Sequence, residues 1–452
     1  MKCDGYRIVL FGYRSSMHLI LMLFLLGSCS LQQQVIRKAS RTLLSDTSVV
    51  HAHLGVLVVD CNSNDTLFSH NASRYFVPAS NVKLLTLYAG LKFLPTVLPG
   101  IRYKEIQDTL YLIPTGDPTL LHRAFQDQPV IDFLKQQQKV ILVSNRNWKT
   151  EAWGKGWSWD DYRAGYMAER SSMPVYGNTI RWSQLRTVDS SKGYFDTATV
   201  ILSDPEINWN VQLSSHTGLR FQIQRSLCEN QYQVTAGPEM EVERSIPFST
   251  RNLEAAIELL KDTLHKEIFV GSFSDTNSFR FIQSHPSDSL FRYFMHYSDN
   301  LFAEQTLLMV SNQVLGYMNE HILLDTFAQT ILKSMPQQPV WVDGSGLSRY
   351  NLMTPENFVW LLSKLKQEFG MERLRRIFPG IQEGTLRNFF ISPNLRVFAK
   401  TGTLSGHTAL TGYLYTQSNR LFAFSIMVNH YGGSSTSVKR ALERFLTEIS
   451  HL

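Results

Sequence analysis

The stretch Val77-Pro78-Ala79-Ser80-Asn81-Val82-Lys83-Leu84-Leu85-Thr86-Leu87-Tyr88-Ala89-Gly90-Leu91 restricts the fold more than any other. Pro78 fixes the direction of the chain and cannot sit deep in a helix, Ser80 lies where a helix begins, and Val82, Leu85, Leu87, Tyr88 and Leu91 leave few polar interior positions. The stretch reads as a turn feeding a buried helix that Pro95 and Pro99 close. Ser80 and Lys83 stand three residues apart, on one face and within hydrogen-bonding reach. A serine hydroxyl is a poor nucleophile until a base takes its proton, and a desolvated lysine with a lowered pKa can be that base. The start of a helix adds free N–H groups and a positive dipole end, both favourable to a developing oxyanion.

Spacing alone is weak, because Ser363 and Lys366 repeat the pattern inside a helical run where it reads as an exposed face. The rest of the chain decides between the two. With 43% hydrophobic and 12% aromatic residues it is globular, and its length suits two or three domains. The net charge of +6 is spread along the chain with no dominant Lys/Arg cluster, so it reads as a surface bias and nucleic-acid binding is not expected.

Arg7 and Arg14 precede the apolar run Leu19 to Leu26, which is short of the ~20 residues of a spanning helix. Residues 1–28 read as an export signal, with Met1 and Met17 as alternative starts. Leu26-Gly27-Ser28-Cys29 resembles the lipobox of bacterial lipoproteins, in which the cysteine is lipidated and holds the protein to a membrane. The alternative is an ordinary cleaved signal. Cys61 and Cys228 remain, and no spacing argues that they pair. Neither H-E-x-x-H nor C-x-x-C occurs, and no metal site is expected.

A helix is expected from Leu31 to Leu44, then strands at His53 to Asp60 and Thr66 to Phe68 around a polar turn. Between Gly100 and Ser284 the texture changes to short strands, at Thr109 to Ile113, Val140 to Val143, Thr199 to Leu202, Trp209 to Leu213, Leu219 to Ile223 and Tyr232 to Ala236. This predicts a mostly β domain (100–284) inserted into a first domain (30–99 and 285–452). Thr115 to Leu120 reads as a turn, and Trp157 to Tyr162 as aromatic packing. Helices are expected on either side of Tyr297-Ser298-Asp299-Asn300, which is either a cap or a site. Ser-x-Asn also occurs at Ser69/Asn71 and Ser392/Asn394. A glycine-rich loop, Trp341-Val342-Asp343-Gly344-Ser345-Gly346-Leu347-Ser348-Arg349, precedes a helix from Pro355 to Phe369. A β-meander follows, with strands at Leu395 to Thr403, Leu410 to Tyr415 and Leu421 to Val428. A helix with Val438, Ala441, Leu442, Phe445, Leu446 and Ile449 on one stripe closes the chain.

Lys400-Thr401-Gly402 occurs once, on the first meander strand. There Gly402 lets a substrate backbone lie close, Lys400 and Thr401 offer a charge and a hydroxyl to a carboxylate, and the N–H of Thr403 can face a scissile carbonyl. Ser-x-x-Lys, Ser-x-Asn and Lys-Thr-Gly in this order form the signature of penicillin-binding proteins and class A β-lactamases. Pro78 to Leu84, Gly116-Asp117-Pro118-Thr119, Ser298 to Glu304, Asp343 to Arg349 and Lys400 to Leu404 resemble the D-alanyl-D-alanine carboxypeptidase/endopeptidase family. These are the class C low-molecular-mass penicillin-binding proteins, also called the peptidase S13 or DacB-like family. The long separation of Ser80 from Ser298 fits the large insertion that family carries there.

The resemblance implies an α+β fold of the serine DD-peptidase/β-lactamase type: an antiparallel sheet flanked by helices, without cofactor. It implies a serine-type D-Ala-D-Ala carboxypeptidase, with DD-endopeptidase activity as a further capacity, acting on peptidoglycan stem peptides and acylated by β-lactam antibiotics. It assigns Ser80 as nucleophile and Lys83 as its base. Ser298 relays a proton to the leaving amine, Asn300 orients substrate and Lys83, and Lys400 with Thr401 holds the substrate carboxylate. The N–H groups of Ser80 and Thr403 form the oxyanion hole. Two alternatives stand beside it: a β-lactamase or esterase on the same fold, and a lipid-anchored, non-catalytic peptidoglycan-binding protein.

Overall fold

The structure is a computed structural model that describes residues 32–189, 196–273, 278–392 and 394–452. The export signal and Cys29 lie outside these residues.

The frame is a five-stranded antiparallel sheet in the order Arg396–Leu404, His407–Tyr415, Leu421–Asn429, His53–Asp60, Thr66–His70. The N-terminal hairpin therefore docks onto the third strand of the C-terminal meander. Side chains alternate across the sheet, and both faces are covered. Val56, Val58, Leu410, Leu414, Phe422, Phe424, Ile426 and Val428 meet the helices 32–44 and Ser435–Ser450 on one face. Leu57, Ala409, Tyr413, Ala423 and Met427 meet a larger helical layer on the other. With two buried faces, Leu421–Asn429 is buried at every position and reads as a continuous apolar run.

In that second layer, the α-helix Lys83–Phe93 is buried at every residue from Lys83 to Leu91 and packs against Asn300–Leu315 and Pro355–Phe369. Up to Leu91 it has no solvent face. The chain breaks out of it at Leu94, ahead of Pro95. Pro99 is no terminator, because it lies inside the strand Val97–Ile106. The expected helix start at Ser80 is also refined: Ala79–Val82 form a 3-10 turn and the α-helix opens at Lys83.

The segment between the two parts of this frame builds a second core, whose buried members all fall between Ile101 and Ile268. Its five-stranded mixed sheet runs Ile268–Val270, Val140–Val143, Thr109–Pro114, Val97–Ile106, Arg280–Pro286, and two three-stranded sheets accompany it. The first and last strands of the excursion, Val97–Ile106 and Arg280–Pro286, pair antiparallel. Most expected strands appear, but Leu219 to Ile223 is shifted to Gln222–Arg225, and Thr179–Asp189, Glu241–Pro247 and the helices Pro129–Gln136 and Glu254–Leu264 were not anticipated. Cys61 and Cys228 are free thiols.

The excursion is fastened to the frame by Arg170. Its guanidinium has 1% exposure and lies 2.9 Å from Glu320 and 3.3 Å from Glu304, two carboxylates equally buried. It also donates to the carbonyls of Glu151 and Trp153. Removing the cation strands two buried anions, which typically costs 3–5 kcal/mol. Arg170→Met is accordingly expected to lower unfolding stability by about 3–5 kcal/mol in urea titration; a loss below about 1 kcal/mol, as for an exposed pair, would contradict this reading.

Candidate functional site

The turn that carries Ser80 is built under constraint. Pro78 sets its direction, and Ala79 takes a left-handed conformation (φ 49°), uncommon for a residue with a side chain. Asn81, fully buried, donates to the hydroxyl of Thr411 at 2.7 Å and ties the turn to the second sheet strand. Two glycines let other segments close over it. A Cβ on Gly346 would lie 2.0 Å from the Ala79 oxygen, and one on Gly402 would lie 2.6 Å from the Pro78 oxygen and 3.2 Å from the Ser80 nitrogen. Both the glycine-rich loop and the Lys-Thr-Gly strand thus pass directly beside the serine.

Lys83 has no exposed surface. Its Nζ lies 2.6 Å from Asn300 Oδ1, 2.6 Å from the carbonyl oxygen of Ser345 and 3.1 Å from Ser80 Oγ. Burial pulls its pKa down to about 8, against the opposing pull of Asp343, Asp299 and Glu304. A neutral amine has two N–H groups and one lone pair. The two short contacts are to oxygens that can only accept, so they take both N–H groups and leave the lone pair for the Ser80 proton.

Those two acceptors are themselves held. Asn300 opens the helix Asn300–Leu315, and its Nδ2 donates to the carbonyl of Tyr166 at 2.8 Å, which turns Oδ1 toward Lys83. Ser345 donates its N–H to Glu304 at 2.7 Å. Burial and the nearby Asp343 carboxylate raise the Glu304 pKa, and Arg170 opposes them. Asp343 accepts the N–H groups of Gly346 and Ser348, the Asn351 amide and the indole N–H of Trp157. The Asp343 loop is therefore stiffened from within and braced by the excursion.

Ser298 ends the preceding helix in a left-handed conformation (φ 56°), and Asp299 caps the next by accepting the N–H of Phe302 at 2.8 Å. The motif is a cap, and it also brings Asn300 to Lys83 and Ser298 to Lys400. Lys400, also without exposed surface, donates to Ser298 Oγ and to the carbonyl of Thr401, each at 2.8 Å. Burial and then the charge of Lys83 hold its pKa well below the ordinary lysine value. Thr401 Oγ1 is hydrogen-bonded to Thr385 at 2.7 Å. The Lys400 strand is an edge of the sheet, and Ala399 points its N–H away from the sheet to the carbonyl of Pro379. By the alternation of an antiparallel strand, the N–H groups of Thr401 and Thr403 leave the same edge.

Ser80, Lys83, Ser298, Asn300, Lys400, Thr401, Gly402 and Thr403 thus come together, through direct contacts and chain neighbours, from parts of the chain far apart in sequence. The decoy pair does not meet: Ser363 donates to its own helix at Val359, and Lys366 to the carbonyl of Cys61. Sequence reasoning quoted Glu304 and Ser345 within motifs without giving them work, and it missed Tyr166, Arg170 and Thr385. Tyr166 acts through a backbone carbonyl, which leaves no residue-type signal.

Comparison with known proteins adds three likenesses. The chain is 26% identical to a D-alanyl-D-alanine carboxypeptidase of Actinomadura sp. (strain R39), over 92% of this chain and 85% of that one. It is 23% identical to the D-alanyl-D-alanine carboxypeptidase DacB of Haemophilus influenzae, over 86% and 88%. The crystal structure of penicillin binding protein 4 (dacB) from Haemophilus influenzae has the same fold, with a TM-score of 0.71 at 20% identity, covering 92% of this chain and 98% of that one. Residues 37–449 match the D-Ala-D-Ala carboxypeptidase 3 (S13) family, to which the chain therefore belongs.

Proposed function

We propose that the protein cleaves the bond between the two terminal D-alanines of peptidoglycan stem peptides through an acyl-enzyme on Ser80. The observation that carries this reading is the position of the Lys83 amine, 2.6 Å from two carbonyl oxygens and 3.1 Å from Ser80 Oγ, so that its neutral form, with both N–H groups on those oxygens, turns its lone pair to the serine. Lys83 accepts the Ser80 proton as Oγ attacks the carbonyl carbon. The N–H groups of Ser80 and Thr403 receive the oxyanion, each such donor being worth ~3 kcal/mol of barrier. Collapse of the tetrahedral adduct breaks the C–N bond, and the leaving amine takes a proton through Ser298. Water then attacks the ester and restores Ser80. Lys400 and Thr401 receive the substrate carboxylate, whose negative charge restores the proton affinity that burial removes from Lys400.

Cleavage of a cross-link is the same chemistry with a larger leaving amine, so an endopeptidase role needs no further group. β-Lactams fit as covalent inhibitors, since their amide carbonyl offers the same electrophile; the related Haemophilus influenzae protein has been crystallised with a β-lactam. Cys29 is the lipidated residue of an exported protein in this reading, held at a membrane by its acyl chains.

Incubating the protein with pentapeptide and cross-linked muropeptides and identifying products by mass tests the function: D-alanine release is expected, and Ser80→Ala should abolish it together with the covalent penicillin adduct. Muropeptide cleavage by Ser80→Ala would sink the catalytic reading, and rapid turnover of penicillin would favour a β-lactamase. Lys83→Ala should slow acylation by labelled penicillin at least ~100-fold, the usual worth of a positioned base; a normal rate would remove Lys83 from that role.

Acylation should also depend on pH with a definite sign. The base works only without its proton, and Lys83 loses it at about 8. The acylation rate is therefore expected to rise with pH and level off above about 8, with ~10% of molecules competent at pH 7. A rise delayed to the ordinary lysine value would contradict the assignment.

A further inference from the structure

Beside the start of the Lys400 strand lies a cavity of about 690 Å³ with Arg292, Arg375, Arg396 and Glu383 in its wall. Among the described residues none of the three arginines forms an ion pair with a carboxylate, although Arg373 and Arg376, neighbours of Arg375, do. Arg375 lies over the Phe398 ring at 5.3 Å and Arg396 over the Tyr415 ring at 5.3 Å. Arg396 is steadied by the carbonyl of Thr416 and by Asn419 Oδ1, each at 2.7 Å, and Arg292 donates to the carbonyl of Arg376. Glu383 accepts the N–H of Gly380. The wall thus carries three cations and one anion, with guanidinium planes fixed on rings or backbone. Fixed guanidinium forks suit a phosphate, which they bind through paired N–H groups.

The position of the cavity says where that phosphate would come from. Asn419, on its rim, is followed by Arg420, whose Nη1 lies 3.4 Å from Gln32 Oε1. Gln32 is three residues beyond Cys29, a reach of at most ~10 Å of extended chain. If Cys29 is acylated, this pole of the molecule rests at the headgroup layer.

We propose that the three-arginine cavity binds the phosphate of an anionic phospholipid headgroup. The choice of a lipid source rests on the anchor reading above; the phosphate chemistry does not. Binding there sets the protein's orientation on the membrane, as a second point of attachment beside the acyl chains. None of the residues that line the cavity is one of those gathered at Ser80, so penicillin acylation is expected to be untouched by its occupancy.

The test uses the exported chain carrying Cys29→Ser, which removes the anchor and lets the cavity be judged by itself. Its flotation with vesicles of phosphatidylcholine, with and without phosphatidylglycerol, is compared with that of Arg375→Gln and Arg396→Gln in the same background. The Arg375 side chain is exposed and, among the described residues, forms no hydrogen bond beyond its contact with the Phe398 ring, so its substitution is expected to spare the fold; unchanged penicillin acylation checks this. Preference for phosphatidylglycerol, weakened roughly fivefold by each substitution, is the expected result. Equal binding to both vesicles, or binding indifferent to the arginines, would overturn the proposal. Arginine-dependent binding of inorganic phosphate without vesicle binding would support the phosphate site and overturn its lipid source. Mass analysis of the native N-terminus reads acylation of Cys29 separately, so failure of the anchor and failure of the cavity are distinguishable.

Discussion

A lysine with no exposed surface loses the hydration that keeps an ordinary lysine charged, and Lys83 replaces it with two carbonyl oxygens and a serine hydroxyl. That replacement has two effects at once. Burial lowers the cost of giving up the proton, and the carbonyl oxygens decide which way the remaining lone pair points. Three acceptors would have held the amine charged, and too few would have left a buried donor unpaired. The rest of the architecture keeps two acceptors and one hydroxyl where they are.

Much of that work is done from outside the peptidase frame. The Asn300 amide is oriented by the carbonyl of Tyr166, the Ser345 peptide by Glu304, and Glu304 by Arg170, while Trp157 braces Asp343. Tyr166, Arg170 and Trp157 all belong to the excursion between the first two motifs. The excursion therefore reaches the lysine through side-chain amide, peptide and carboxylate rather than by touching it. Its own core is a separate cluster of buried residues, so these contacts are what tie it to the site.

The frame was legible in the sequence because its pattern is strong. His53–Asp60 and Pro355–Phe369 fall where apolar content, Asp60 and Pro355 place their ends, and the closing helix buries the stripe from Val438 to Ile449. The excursion was read less well for a physical reason. Glu241–Pro247 is exposed at its three charged residues, Glu241, Glu243 and Arg244, and lacks an alternating pattern, so it resembles a loop, and Val97–Ile106 contains a proline and a glycine that signal termination. At the site, the side chains to which the chemistry is proposed stood out by type and order. Their supports did not, because Tyr166 contributes a carbonyl and Thr385 a hydroxyl that any loop offers. The side chain of Lys400 also turned toward Ser298, a direction that the three-letter motif alone does not contain.

The pairing of His53–Asp60 with Leu421–Asn429 has a consequence for the protein's biogenesis. A chain emerging N-terminus first presents Ser80 and Lys83 long before Ser298 is made, and the strand bearing Lys400 comes close to the end. The hairpin before Ser80 has no sheet to join until the meander is complete, and such distant pairings form late. Burial of Lys83 waits for Asn300 and Ser345, so until then its amine stays solvated, charged and unable to accept a proton. An unfinished or prematurely ended chain therefore lacks the groups that set the state of this lysine, and acylation of Ser80 waits for the last strands of the frame.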